Sequence, residues 1–268
     1  MKTLLLILIA LITLVSCKTE NKKDGDIAES TAEVSKVIQK ENIQHSFEIK
    51  PISHATMALE WDGEIIYIDP VGGAAAFEGQ AKPDLILITD IHGDHLNIET
   101  LQEVITNETG IIAPQAVKDK LPAELSSITT ILNNGEIKEM IGFNIEAIPM
   151  YNLREEALKF HEKGRGNGYV IEKDGKRVYI AGDTEDIPEM RALKNIDVAF
   201  VCMNLPYTMT VESAASAVLD FRPSKVYPYH YRGTEGLSDV VQFGDLIKKS
   251  PASKEIEVVQ LDWYPNKE

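Results

Sequence analysis

Asp90, His92, Asp94 and His95 fall within six residues, at the end of Leu85-Ile-Leu-Ile-Thr-Asp-Ile-His-Gly-Asp-His95. Neutral imidazole suits zinc, iron or manganese, and carboxylate oxygen suits harder cations. So dense a set of donors predicts a metal site rather than a merely exposed polar loop. The apolar run Leu85–Ile88 is short and follows Pro83, which predicts a buried strand rather than a long helix. That strand would hold one side of the ligand loop, and Gly93 is expected to let the loop turn tightly.

Thr89–His95 resembles the metal-binding signature of the metallo-β-lactamase superfamily, His-x-His-x-Asp-His after a strand, with Asp90 standing where that family usually has histidine. Gly182-Asp183-Thr184 resembles the family's bridging-aspartate motif, and Pro228-Tyr229-His230-Tyr231 its last histidine motif. The resemblance runs from about Glu48 to the C-terminus. Ser53-His54-Ala55, Ile68-Asp69-Pro70 and Pro206–Met209 look most like the branch of L-ascorbate-6-phosphate lactonases and N-acylphosphatidylethanolamine phospholipases.

The resemblance implies an α+β fold, a four-layer αββα sandwich with two face-to-face sheets and helices outside. It implies two divalent ions, zinc or manganese, with iron also suitable. Asp90 and His92 would hold one, with either Asn152 or His161, unless that position is weak. Asp94, His95 and His230 would hold the other, and Asp183 would bridge. Asp94, His54 and His161 are the side chains expected to take part in catalysis. The oxygen donor Asp90 shifts preference toward manganese or iron. The implied reaction is hydrolysis of a lactone, amide or phosphoric ester by metal-activated water. The alternative is a tethered metal-containing binding or sensing protein without turnover, favoured by the missing third imidazole and opposed by Asp94 and Asp183.

The 268 residues, 44% of them hydrophobic, suffice for one sizeable core. A net charge of −15 argues against nucleic acid as a partner. It leaves room for a small substrate, an anionic one included, because bound dications reverse the local sign. Lys163 and Arg165 read either as partners for such an anion or as part of a flexible, solvated loop. Gly164, Gly166 and Gly168 read as loop chemistry, and no helix pattern follows them, so no phosphate loop is implied.

Residues 1–17 read as a signal peptide. Leu4–Val15 is an apolar stretch of 12 residues, short of the about 20 a spanning helix needs. Leu14-Val-Ser-Cys17 resembles the bacterial lipobox, which implies a membrane-anchored lipoprotein on the periplasmic or cell-surface side of a bacterial envelope. Cys17→Ala is expected to move the protein from the membrane to the soluble fraction, and unchanged partitioning would reject the anchor. Residues 18–44 are polar and read as a flexible tether, with His45 at its edge. Residues 45–268 are expected to form the metallo-β-lactamase-like hydrolase domain that the resemblance implies. Cys202, the other cysteine, lies in an apolar run and reads as a packed free thiol.

Asp62-Gly63, Asn134-Gly135 and Asp174-Gly175 read as hairpin turns. Glu48–Pro70 reads as two strands. Asn97 and Thr210 are expected N-caps of amphipathic helices, and Ser238–Lys249 is expected to form a further helix.

Overall fold

The computed structural model describes residues 46–265; the expectations for the signal segment, the tether and His45 lie outside the described residues. Among the described residues, no helix is long and apolar enough to cross a membrane.

Two large sheets dominate. The first is built in sequence order from β1 (Phe47–Ser53), β2 (Thr56–Trp61), β3 (Glu64–Ile68), β4 (Leu85–Leu87), β5 (Gly110–Ala113) and β6 (Thr129–Ile131). Strands β3 to β6 run parallel. The second contains β7 (Ile137–Met140), β8 (Phe143–Met150), β9 (Gly166–Lys173), β10 (Lys176–Ile180), β11 (Val198–Val201) and β12 (Lys225–Pro228). After a short ribbon, β13 (Arg232–Gly233) with β14 (Gly236–Leu237), strand β15 (Glu257–Val258) joins the free edge of β12.

The uninterrupted apolar run at Leu85 is explained by two covered faces. Leu85 and Leu87 point into the core shared with Ile145, Ile171 and Ile180 of the second sheet. Ile86 and Ile88 point the other way and pack with Leu101, Val117 and Leu125, as the period of two requires. Those three partners belong to α1 (Ile98–Val104), α2 (Gln115–Lys118) and the stretch holding α3 (Ala123–Ser127). On the second sheet, Phe221 of α5 (Val211–Phe221) meets Tyr179 edge to face at 6.0 Å. The shorter α4 (Pro188–Arg191) and α6 (Val240–Lys248) flank α5. Helices outside two facing sheets give the expected α+β sandwich. Each fully buried Leu, Ile or Phe in these layers contributes roughly 1.5–3 kcal/mol.

Asn97 caps α1 by accepting from the Thr100 N–H at 2.8 Å, and Thr210 caps α5 by accepting from Ser213 at 3.1 Å. Asp62-Gly63 and Asp174-Gly175 are two-residue turns with both φ positive. Asn134-Gly135 is not a hairpin: it carries the chain from β6 in the first sheet to β7 in the second. The hairpin next to it turns at Ile141-Gly142, both left-handed. A β-branched residue gives no turn signal, which is why the sequence points one turn too early. Glu48–Pro70 holds three strands rather than two, with His54-Ala55 as the extra turn. Gly166 and Gly168 lie within β9, not in a loop.

Candidate metal centre

The site residues leave strands that point the same way. His54 follows β1, Asp69 follows β3, Asp90–His95 follow β4, Asp183 follows β10 and His230 follows β12. β1 and β3 are each antiparallel to β2, so they run with β4. Within each sheet the strands that carry these residues run the same way, so their C-terminal ends present the site side chains together.

Three groups of potential ligands form there, the last two sharing His230: Asp90, His92 and His161; His95, Asp183 and His230; His54, Asp94 and His230. Asp183 lies between the first two. Its Oδ2 is 3.2 Å from His161 Nε2 and 3.4 Å from His95 Nε2, while Oδ1 is 3.0 Å from His230 Nε2. His92 Nδ1 is 2.8 Å from Asp90 Oδ2, and His161 Nε2 is 3.8 Å from it. His95 Nε2 and His230 Nε2 face one another at 3.2 Å.

These donors fit a metal better than a hydrogen-bond network. His161 Nε2 and Asp183 Oδ1 are buried and have no hydrogen-bond partner, although charged neighbours lie close. Buried polar atoms left unpaired are costly, and convergent lone pairs at this spacing suit a cation.

Asn152 and His161 part ways in space. His161 enters the cluster. Asn152 turns its Nδ2 to the carbonyls of Ala157 and Tyr207, at 2.9 and 2.6 Å, and so ties the loop that carries His161. That loop is tied again where Arg154 bonds buried Glu185 and the Pro206 and Thr208 carbonyls. Lys163 does not line the centre; it pairs with Glu189 at 2.8 Å and lies over the Tyr151 ring. Arg165 meets Asp90 instead of open space.

Backbone geometry concentrates at the centre. His54, Asp69 and His230 all have left-handed φ, at 58°, 45° and 46°, which costs non-glycine residues about 1–2 kcal/mol each. The His230 N–H donates to the His54 carbonyl at 3.2 Å, joining the two sheets. Gly182 has φ 63°, and a Cβ there would stand 2.5 Å from Met150 Sδ. Its N–H donates to Tyr229 Oη at 2.8 Å. Gly93, by contrast, is outside the left-handed region with open space around it, so the ligand loop does not depend on its freedom. The turn there is held by the His95 and Leu96 N–H groups, both donating to the His92 carbonyl.

Asp69 is fully buried and accepts from the Thr89 N–H at 2.7 Å and the Thr89 hydroxyl at 2.6 Å. Its Oδ2 also faces His95 Nδ1 at 2.8 Å. That contact orients the imidazole and turns Nε2 toward the cluster. Burial pushes the Asp69 carboxyl up, opposed by the His95 charge and by the His95 and Thr89 bonds. Burial would lower His95, but the charges of Asp183 and Asp69 outweigh it and raise it well above its ordinary value. Burial would raise Asp183; the nearby His230 and His95 charges prevail and hold it far below the carboxylate range. Asp94 is likewise held low against burial, by bonds from His230 and His54. In Asp90 the His92 bond and the His95, His92 and Arg165 charges overcome burial. Asp90, Asp94 and Asp183 are therefore ionised at neutral pH and ready to meet cations.

Asp94 is the most exposed of these acids, its side chain 41% accessible. It borders two hollows. One, of about 290 Å³, is lined by His92, His161, Asp183, Phe160 and Tyr207. The other, of about 560 Å³, is lined by His54, Ser53, Arg232 and Tyr264. His54 Nε2 is 3.4 Å from Asp94 Oδ2, and its Nδ1 is 2.8 Å from Tyr264 Oη. A larger hollow, about 660 Å³ around Asn195, Arg222 and Glu255, contains none of the site side chains. Cys202 is a buried free thiol, pushed up to about 12 by burial, and so is chemically quiet.

Sequence reasoning missed Asn204 and Tyr264. Asn204 Nδ2 lies 3.3 Å from His230 Nε2, and its Oδ1 accepts from the Thr208 hydroxyl. Its signal was its position, just past the apolar run of β11. Tyr264 approaches His54 across 210 residues, and no local pattern announces that.

Residues 48–230 match the family model of the beta-lactamase superfamily domain. A UPF0173 metal-dependent hydrolase from Thermococcus onnurineus is 33% identical over 193 residues, covering 68% of this chain and 84% of that protein. A crystal structure from Parabacteroides distasonis, assigned as a metal-dependent hydrolase, is 39% identical with a TM-score of 0.72. It covers 81% of this chain and 93% of its own. Igni18, a metallo hydrolase from Ignicoccus hospitalis, shares the fold at 24% identity and a TM-score of 0.66, covering 80% and 94% of the two chains.

Proposed function

Because the chain belongs to the beta-lactamase superfamily, among its metal-dependent hydrolases, we propose that it hydrolyses a small lactone, amide or phosphoric ester at a two-ion centre. The observation that carries this is the Asp183 carboxylate, with Oδ2 facing His161 and His95 and Oδ1 facing His230. One carboxylate between two donor groups supports two ions sharing a ligand. Asp90, His92 and His161 would hold one. Asp94, His95 and His230 would hold the other, with Asp183 common to both. Divalent ions there, zinc or manganese, supply Lewis acidity and acidify a water molecule.

The chain's own groups do the rest. Asp94 is a carboxylate at the mouth of both hollows, placed to orient a water and accept its proton. His54, bonded to Tyr264 and adjacent to Asp94, is placed to contact the leaving group. Phe160 and Tyr207, whose rings meet at 5.0 Å, wall the smaller hollow and favour substrates with an apolar arm. A role in binding or sensing without turnover is the less well supported reading, because His161 adds an imidazole beside Asp90 and His92. The lipobox-like Cys17 supports a protein held at a membrane surface.

The test is a screen of lactone, amide and phosphodiester substrates with Mn²⁺ or Zn²⁺. The expected result is turnover that chelation removes and that Asp94→Ala lowers by about a hundredfold or more. Turnover indifferent to both changes would reject the proposal.

A further inference from the structure

The first donor group carries a cation of its own. Arg165 ends the loop that delivers His161, just before β9. Its Nη2 donates to Asp90 Oδ2 at 2.9 Å and its Nε to Oδ1 at 3.2 Å, while Nη2 lies 3.5 Å from His92 Nε2. The same Nη2 donates to the Phe160 carbonyl. The Asp90 side chain is fully buried and that of Arg165 only 18% exposed, so the pair is little screened by solvent. Both Asp90 oxygens are engaged by the guanidinium fork. Oδ2, which also faces His92 and His161, is the oxygen turned to the donor group.

In the second group, among the described residues, the carboxylates of Asp94 and Asp183 meet imidazoles, those of His54, His95, His161 and His230. An imidazole, unlike a guanidinium, gives up its proton when it ligates, so the charge on Asp94 and Asp183 becomes available to an ion. An arginine beside a carboxylate ligand does two things. It fixes which oxygen is presented, because a planar fork holds both. It also cancels most of the charge that would attract a dication, and repels that dication directly.

We propose that Arg165 is a positioning residue that grades the two ion positions, making Asp90–His92–His161 the weaker one, filled second. The inference rests on the two-ion reading above. It also accounts for a carboxylate at a place otherwise suited to a neutral donor: Asp90 and Arg165 together present an oxygen with little net charge.

A merely structural Arg165 predicts the opposite sign. It would hold the Phe160–Arg165 loop, so its loss would loosen His161 and weaken the first position. The experiment is calorimetric titration of Mn²⁺, and separately Zn²⁺, into the chelator-stripped full-length protein, its Arg165→Met variant and its Arg165→Lys variant. The wild type is expected to show two steps separated by at least about tenfold in affinity. Arg165→Met should tighten the weak step by about tenfold and leave the tight step unchanged, which also certifies that the variant is folded. Arg165→Lys, which keeps the charge without the fork, should retain most of the gap. A weak step that loosens or stays put in Arg165→Met overturns the inference while leaving the two-ion centre standing. A wild type that binds no ion, or only one, overturns both.

Discussion

Asp183→Asn is expected to lower turnover by at least about a hundredfold, as several kcal/mol of metal-centred stabilisation is withdrawn. The side chain is nearly isosteric, so the packing beneath β10 should survive. What changes is charge and donor number. Asp183 offers one oxygen to His95 and His161 and the other to His230, and an amide cannot present two anionic oxygens to two ions. Metal content should fall together with activity. The stripped variant should melt somewhat below the stripped wild type, because the amide gives up the His230 and His95 charges that hold Asp183 ionised. The loaded wild type should melt higher than the loaded variant, since ligand binding stabilises by mass action. Metal content by elemental analysis and melting curves in both states give the check. Equal metal content and equal turnover in variant and wild type would remove Asp183 from the centre.

The parts of this centre that were legible in the sequence are those whose signal is local. Leu85–His95 announces itself because an apolar run stops at four donors, and a buried strand delivering a loop is the simplest structure with that pattern. Asn97 and Thr210 were legible for the same reason, since a cap acts within three residues. The choice between Asn152 and His161 was not legible. It depends on the course of the loop after β8, set by Arg154 reaching Glu185, Pro206 and Thr208 and by Asn152 reaching Tyr207. The Asp90–Arg165 pair spans 75 residues, and arginine in a glycine-rich stretch looks like a solvated loop. Asn134-Gly135 failed for a different reason. Turn chemistry states that the chain reverses, but it does not state which sheet receives the next strand, and here the next strand belongs to the other one.

Asp69 gives the second large effect, and it separates orientation from packing. Its side chain touches no proposed substrate position, yet it meets Thr89 twice and His95 once. Asp69→Ala leaves those buried groups without an acceptor. Breaking a buried, hydrogen-bonded ionic contact costs about 3–5 kcal/mol, which for a domain of this size lowers the melting temperature by about 10 °C. Asp69→Asn keeps the shape and the acceptor for the Thr89 N–H, so its melting temperature should drop by much less. It nevertheless offers an amide where His95 Nδ1–H needs an anionic acceptor. The imidazole then loses the partner that fixes its tautomer and turns the Nε2 lone pair toward Asp183 and His230. Metal affinity is therefore expected to fall by about 10- to 100-fold in Asp69→Asn, measured by competition against a chromogenic chelator. If Asp69→Asn binds metal as tightly as the wild type, His95 is held by packing alone. If Asp69→Ala and Asp69→Asn melt together, the Thr89 contacts contribute nothing that the carboxylate's shape does not.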